Sequence, residues 1–158
     1  NYIYKKMAYD VLELEKNIYH IEHDGFNILN IGIKVNNKAY RIKLDFKNLY
    51  YPWVPPLIIL CYKQNDIDFK YFLKNSWDSF KILFNDSTTK DFKLSSGCLC
   101  CESDLYKKKW SPTMNIFTIV KKIIKDINII NKYKSIFILE KLCKKCYIHN
   151  CYLITKYL

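Results

Sequence analysis

The chain has little of what usually punctuates a backbone. It holds only three glycines and four prolines in 158 residues. That excludes a collagen-like or Gly/Pro-rich low-complexity chain, and no Gly-, Ser- or Pro-rich linker divides it. One domain spanning 1–158 is expected. Long apolar runs are also missing. The stretch around Pro55 to Tyr62 is far shorter than the roughly 20 residues that a spanning helix needs, so no membrane span is expected. Disulfide-framework spacing is missing too. The cysteines are Cys61, Cys98, Cys100, Cys101, Cys143, Cys146 and Cys151, seven in all. An odd count without a framework argues for an intracellular reducing compartment, with no disulfide scaffold. The first residue is Asn1 rather than Met, so a trimmed chain is expected. A removed targeting peptide would leave cytoplasm and organelle both open.

Acidic residues are scarce beside basic ones, which gives a formal net charge of +11. Lys and Arg in such excess suggest nucleic acid as a partner. The basic residues are scattered, however. Lys107 to Lys109 form a run of three, and no basic helix is interleaved with base-stacking aromatics. Nucleic acid is therefore not the expected partner. A Lys-rich solvated surface, or attraction to an acidic protein, accounts for the charge. Lys, Asn, Ile and Tyr are abundant, which reads partly as a coding bias.

Half of the residues are apolar, ample for a core. Residues 2–17 read as a helix, with Met7, Val11 and Leu14 on one face and Lys16-Asn17 at its end. The period then changes. Ile18 to His23 and Phe26 to Val35 suggest strands, with Asp24-Gly25 and Asn36-Asn37 as turns. Tyr40, Ile42, Leu44 and Phe46 alternate with Arg41, Lys43 and Asp45, a half-buried strand. Tyr51-Pro-Trp-Val-Pro-Pro56 breaks the ladder, and Leu57 to Tyr62 reads as a fourth strand. Residues 64–96 suggest one or two short helices followed by loop from Asp86 to Ser96. Trp110-Ser-Pro112 opens a clear helix, with Ser111 as N-cap and Pro112 at the first helical position. Its apolar face carries Ile116, Ile119, Val120, Ile123, Ile124, Ile127 and Ile130. Residues 136–158 suggest a further amphipathic segment. The pattern is α+β: an N-terminal helix, a four-stranded antiparallel meander and C-terminal helices.

Four segments in this order resemble the ubiquitin-conjugating enzyme family. The opening helix runs Met7-Ala-Tyr-Asp-Val-Leu-Glu-Leu14-Glu-Lys-Asn17, close to the family's first helix. The alternating strand Tyr40 to Phe46 followed by Tyr51-Pro-Trp-Val-Pro-Pro56 is similar to the family's strand and Tyr-Pro-x-x-Pro-Pro exit. Gly97-Cys-Leu-Cys100 resembles the Gly-x-Ile-Cys segment that ends in the active cysteine. Trp110-Ser-Pro-Thr-Met-Asn-Ile116 resembles the family's Trp-Ser-Pro-x-Leu-x-Ile helix entry.

The resemblance implies that Cys100 accepts the C-terminal carboxyl of ubiquitin or a ubiquitin-like protein as a thioester. An activating enzyme delivers it, a substrate lysine takes it, and a ubiquitin ligase positions the partners. A thiol suits this chemistry because it is both nucleophile and leaving group. Cys98 and Cys101 compete for the role, and Gly-x-x-Cys spacing selects Cys100. The same resemblance assigns partner contacts to Lys5, Lys6, Trp53, Ser111 and Pro112. It implies no cofactor. An inactive variant that binds ubiquitin or another partner is the alternative.

Two departures stand out. Lys90, Asp91 and Phe92 occupy the place of the family's His-Pro-Asn triplet, which occurs nowhere in the chain. Losing that Asn could cost ~3 kcal/mol of oxyanion stabilisation, unless Ser95, Ser96, Asn85 or backbone N–H groups replace it. The stretch from Pro56 to Cys100 is also longer than the family's by roughly two dozen residues, an insertion around 64–90.

Cys143-x-x-Cys146-x-x-His149-x-Cys151 has zinc-type residues. On one helix they would sit near ~0°, 300°, 240° and 80° around the axis. They could not converge on one ion, so no metal is expected.

Overall fold

A computed structural model describes residues 16–25, 27–47, 51–62, 65–84, 98–106 and 109–146. The expected opening helix, with Lys5 and Lys6, lies outside them, as does the expected loop from Asp86 to Ser96.

The fold is α+β, with a five-stranded antiparallel sheet in the order β1-β2-β3-β4-β5. The strands are β1 (Ile18–Asp24), β2 (Ile28–Val35), β3 (Lys38–Asp45), β4 (Leu57–Tyr62) and β5 (Asn65–Asp68). The meander of four expected strands is therefore extended by one. β5 is only four residues, Asn-Asp-Ile-Asp, three of them polar, and it pairs along β4 with Leu60 opposite Ile67. So short and polar an element carries no periodic signal of its own. It exists because β4 offers an edge.

The β2–β3 turn is built as its residues require. Val35 pairs with Lys38, leaving Asn36 and Asn37 as a two-residue loop with φ of 50° and 61°. Asn tolerates this left-handed backbone, and its twist matches the flanking strands. Leu29, Ile31, Ile33 and Val35 of β2 are buried, with Tyr40, Ile42 and Leu44 of β3 and Ile58 and Leu60 of β4.

Three helices follow: α1 (Phe69–Phe84), α2 (Leu99–Glu102) and α3 (Ile116–Cys146). The residues read as an insertion thus contain β5 and one 16-residue helix. Asp68 caps α1, its Oδ1 accepting from the Tyr71 N–H at 3.0 Å. Phe69, Leu73, Trp77 and Phe80 are buried on one stripe of α1. That helix packs on α3, α2, β4 and β5.

α3 is one continuous helix of 31 residues, about 46 Å long. It runs through the point where a separate last segment was expected to begin. It also starts later than the sequence suggests. Asn115 is its cap: the Oδ1 accepts from the Thr118 N–H at 2.8 Å, and the Asn115 carbonyl from the Ile119 N–H. Ser111 and Pro112 lie in the turn before it, where the Ser111 carbonyl accepts from the Met114 N–H. Asn115 wins because an Asn side chain is at least as good a cap as Ser, and the first full hydrogen-bonded turn begins there. The expected stripe holds: Ile119, Val120, Ile123, Ile127 and Ile130 are buried, while Ile116 at the helix start is exposed. No described helix is long and apolar enough to cross a membrane.

Candidate functional site

Cys100 sits in the four-residue helix α2, for which Cys98 is the cap residue with extended backbone. The Cys98 carbonyl accepts from the N–H groups of Cys101 and Glu102 at 3.1 Å, and the Leu99 carbonyl from that of Ser103 at 3.0 Å. So short a helix does not stand alone. Leu99 on one side and Leu105 on the other are fully buried. These apolar anchors tie the segment to the core, and α2 packs on α1.

Polar groups then lock it onto α3. Ser103 Oγ donates to Asp126 Oδ2 at 2.6 Å and accepts from the Leu105 N–H at 3.3 Å. Both side chains are buried. Next to this bond, Lys122 Nζ donates to Asp104 Oδ2 at 2.9 Å, with Lys109 and Lys125 at 3.7 Å. The Lys122 bond leads in holding the Asp104 carboxyl below its ordinary value.

Asp126 behaves oppositely. Burial raises its pKa from 3.8 to about 6, against the Ser103 hydrogen bond and Lys125, which act to lower it. A carboxyl whose folded pKa is raised favours folding when protonated. Its contribution is present in full below the unfolded value and is lost as pH rises through about 6. We therefore expect the unfolding free energy of the wild type, relative to Asp126→Asn, to fall by about 2–3 kcal/mol between pH 4 and pH 7. Denaturant melts of both proteins across that range check it. A flat difference would mean that Asp126 is not buried as a carboxylate.

The cysteines themselves are crowded. Cys98 and Cys100 are paired as a disulfide, with Cα atoms 5.5 Å apart. The sequence argued for no disulfide framework. This single pairing is not one, since only Leu99 separates its ends. A loop of that size restricts the unfolded chain by about 1.6 kcal/mol, roughly half the effect of a 15-residue loop. It braces the fold little. Cys101 is free and exposed, with its Sγ 3.9 Å from that of Cys100. All three Sγ atoms lie within 4.8 Å of one another, the one such His/Cys/Asp/Glu cluster among the described residues. In reduced form these are the thiols that could hold a soft metal ion. Cys98 and Cys101 are rivals of Cys100 by spacing alone, and in space one is bonded to it while the other is free. Cys143 and Cys146 fall in α3, while His149 and Cys151 lie outside the described residues. Cys61 on β4 is a poor rival: burial, then Asp66, push its thiol up to about 11.

The two proline-bearing motifs meet in space. Trp110 Nε1 donates to the Pro52 carbonyl at 2.9 Å, a bond spanning 58 residues. The Tyr51–Pro52 peptide is cis, and the Tyr51 ring packs edge-on against Phe46 with centroids 4.9 Å apart. Trp53, next to this anchor, is 76% exposed. Ser111, on the other side, is half-buried and Pro112 exposed. Three of the expected partner-contact residues thus flank one hydrogen bond. Tyr106, from the segment after α2, lines a cavity with Pro55, Pro56 and Leu57. The cysteine segment and the strand exit are therefore neighbours. Trp110→Phe keeps the ring and removes the donor. It should cost about 1 kcal/mol and lower the melting temperature by roughly 2–4 °C. An unchanged melting curve would mean the two loops are held by packing alone.

Ser95, Ser96 and Asn85, the candidates to replace the absent asparagine, lie outside the described residues. Comparison with protein-family models, curated proteins and solved structures finds no match to this chain.

Proposed function

We propose that this protein carries ubiquitin or a ubiquitin-like protein as a thioester on Cys100 and passes it to a substrate lysine. The activating enzyme, a ligase and the substrate protein are its partners. The observation that carries this reading is the Trp110–Pro52 hydrogen bond. It draws together the two motifs that flank the cysteine in sequence, at a place where Trp53, Ser111 and Pro112 offer a contact surface. The core supports it as well: an antiparallel meander is backed by the long helix that follows the cysteine. The cysteine segment is fixed to that helix by Ser103–Asp126 and Asp104–Lys122. Such fixing holds a nucleophile in one geometry, one of the things that acyl transfer asks of a scaffold.

The pairing of Cys100 with Cys98, and its exposure of only 8%, favour a second reading. In that reading the domain binds a modifier or partner without accepting it. One experiment separates the two. The protein is reduced with a phosphine, moved into reductant-free buffer, and mixed with a panel of modifiers, their activating enzymes and ATP. A non-reducing gel then shows a thiol-sensitive adduct if Cys100 is an acceptor. No adduct with any modifier would remove the enzyme reading.

A further inference from the structure

The cluster of Cys98, Cys100 and Cys101 has more thiols than an acyl acceptor needs. Their burial is graded: Cys101 is exposed, Cys98 is half-buried and Cys100 is buried. The bonded pair is the inner one, and the free thiol is the outer one. All three sulfurs lie within one 4.8 Å neighbourhood. We infer that these residues form a thiol–disulfide exchange site, in which Cys101 takes up oxidising equivalents from a low-molecular-weight disulfide and hands them inward to Cys98 and Cys100.

The route follows from which pairs can bond. Neighbouring Cα atoms are about 3.8 Å apart, short of the roughly 4.4–6.8 Å that a disulfide bridges, so Cys100 and Cys101 do not pair directly. Cys98 and Cys101 have Cys-x-x-Cys spacing, with the first at the cap of α2. Cys98 and Cys100 are 5.5 Å apart at Cα.

With glutathione disulfide as oxidant, the exposed Cys101 thiolate attacks one of its sulfurs. A Cys101–glutathione bond forms, the glutathione S–S bond breaks, and one glutathione thiolate leaves. The Cys98 thiolate then attacks Cys101 Sγ, forming Cys98–Cys101 and releasing the second glutathione thiolate. Finally the Cys100 thiolate attacks Cys98 Sγ, forming Cys98–Cys100 and returning Cys101 as thiolate. Two protein thiols lose two electrons and two protons, and two glutathione thiols carry them away. Excess glutathione drives the same steps backwards, again through Cys101. Where Cys100 serves as the acceptor thiol, which rests on the proposed function, the oxidised pair switches acceptance off.

The thiols can be counted directly, without any modifier. Cleavage after Lys93 and Lys107 places all three cysteines on the single peptide Leu94–Lys107. Reduced full-length protein is exposed to glutathione disulfide, quenched with an alkylating agent at intervals, and read by mass spectrometry of that peptide. The wild type should move to one disulfide and one alkylated thiol. Cys101→Ser should form its disulfide about tenfold more slowly or worse. Cys98→Ser has no second step, so a glutathione adduct should accumulate on Cys101. Equal rates for wild type and Cys101→Ser would overturn the inference, as would Cys98→Ser acquiring no adduct or wild type keeping three alkylated thiols. Exchange without modifier acceptance would leave this inference standing and remove the conjugation reading; acceptance without exchange would do the reverse.

Discussion

Cys100→Ala is expected to abolish the modifier adduct outright, while Cys98→Ala keeps it and frees it from the need for prior reduction. The first half follows from chemistry. Alanine has no group to form the thioester, and neither neighbour replaces it. Cys101 faces solvent at the edge of α2 rather than the buried flank that Leu99 and Leu105 fix. Cys98 stands before the helix, on extended backbone. The second half follows from the pairing. A thiol bonded to Cys98 presents no thiolate, whereas a free one can ionise and attack. Protein purified without reductant should therefore form the adduct poorly as wild type and readily as Cys98→Ala. Cys101→Ala should form it as well as wild type once reduced. The non-reducing gel reads all four proteins. An adduct that survives Cys100→Ala and vanishes with Cys101→Ala would move the acceptor to the exposed thiol.

Trp77→Ala should cost about 3–5 kcal/mol of stability. Against the roughly 5–15 kcal/mol typical of a domain, that removes between about a fifth and all of it. Trp77 is 4% exposed. Its ring meets Tyr133 of α3 edge-on at 5.4 Å between centroids. Phe80 lies beside it, against Phe137 at 6.0 Å. Truncation would open a large cavity between α1 and α3, whose backbones cannot both close on it. A surface appendage would behave otherwise, since substitutions there usually change stability by less than about 0.5 kcal/mol. Chemical denaturation of the full chain distinguishes the two. A small loss would mean that residues 65–84 are an add-on; the expected large loss makes them a supporting layer of the domain.

Much of the sheet was legible in advance. Leu57 to Tyr62 forms a strand with the bounds that its apolar run suggested. The Tyr40–Phe46 alternation became β3, with Tyr40, Ile42 and Leu44 turned inward. Period two leaves a strand with one burial face only, so such a signal is hard to misread. α1 was harder, because its aromatics and polar residues fit several short helices equally well. The Asp68 cap was the available clue, three residues ahead of the N–H that it satisfies. The start of α3 was misplaced for a similar reason. Ser-Pro and Asn are both helix-start signals, and only the hydrogen bonds select Asn115.

The sequence by itself determined the local elements: which residues alternate, where Asn36-Asn37 reverses the chain, and which stripe of isoleucines α3 buries. Those properties depend on spacing along one strand or helix. The tertiary structure alone decided the rest. It placed α1 against α3, gave β5 its edge on β4, and joined Pro52 to Trp110 across 58 residues. It also made Asp126 a buried carboxyl and bound Cys100 to Cys98. Each of these depends on what lies opposite a residue in space. An aspartate on a lysine-rich helix, or a thiol among thiols, carries no mark in the sequence of the neighbour that will set its charge or its bond.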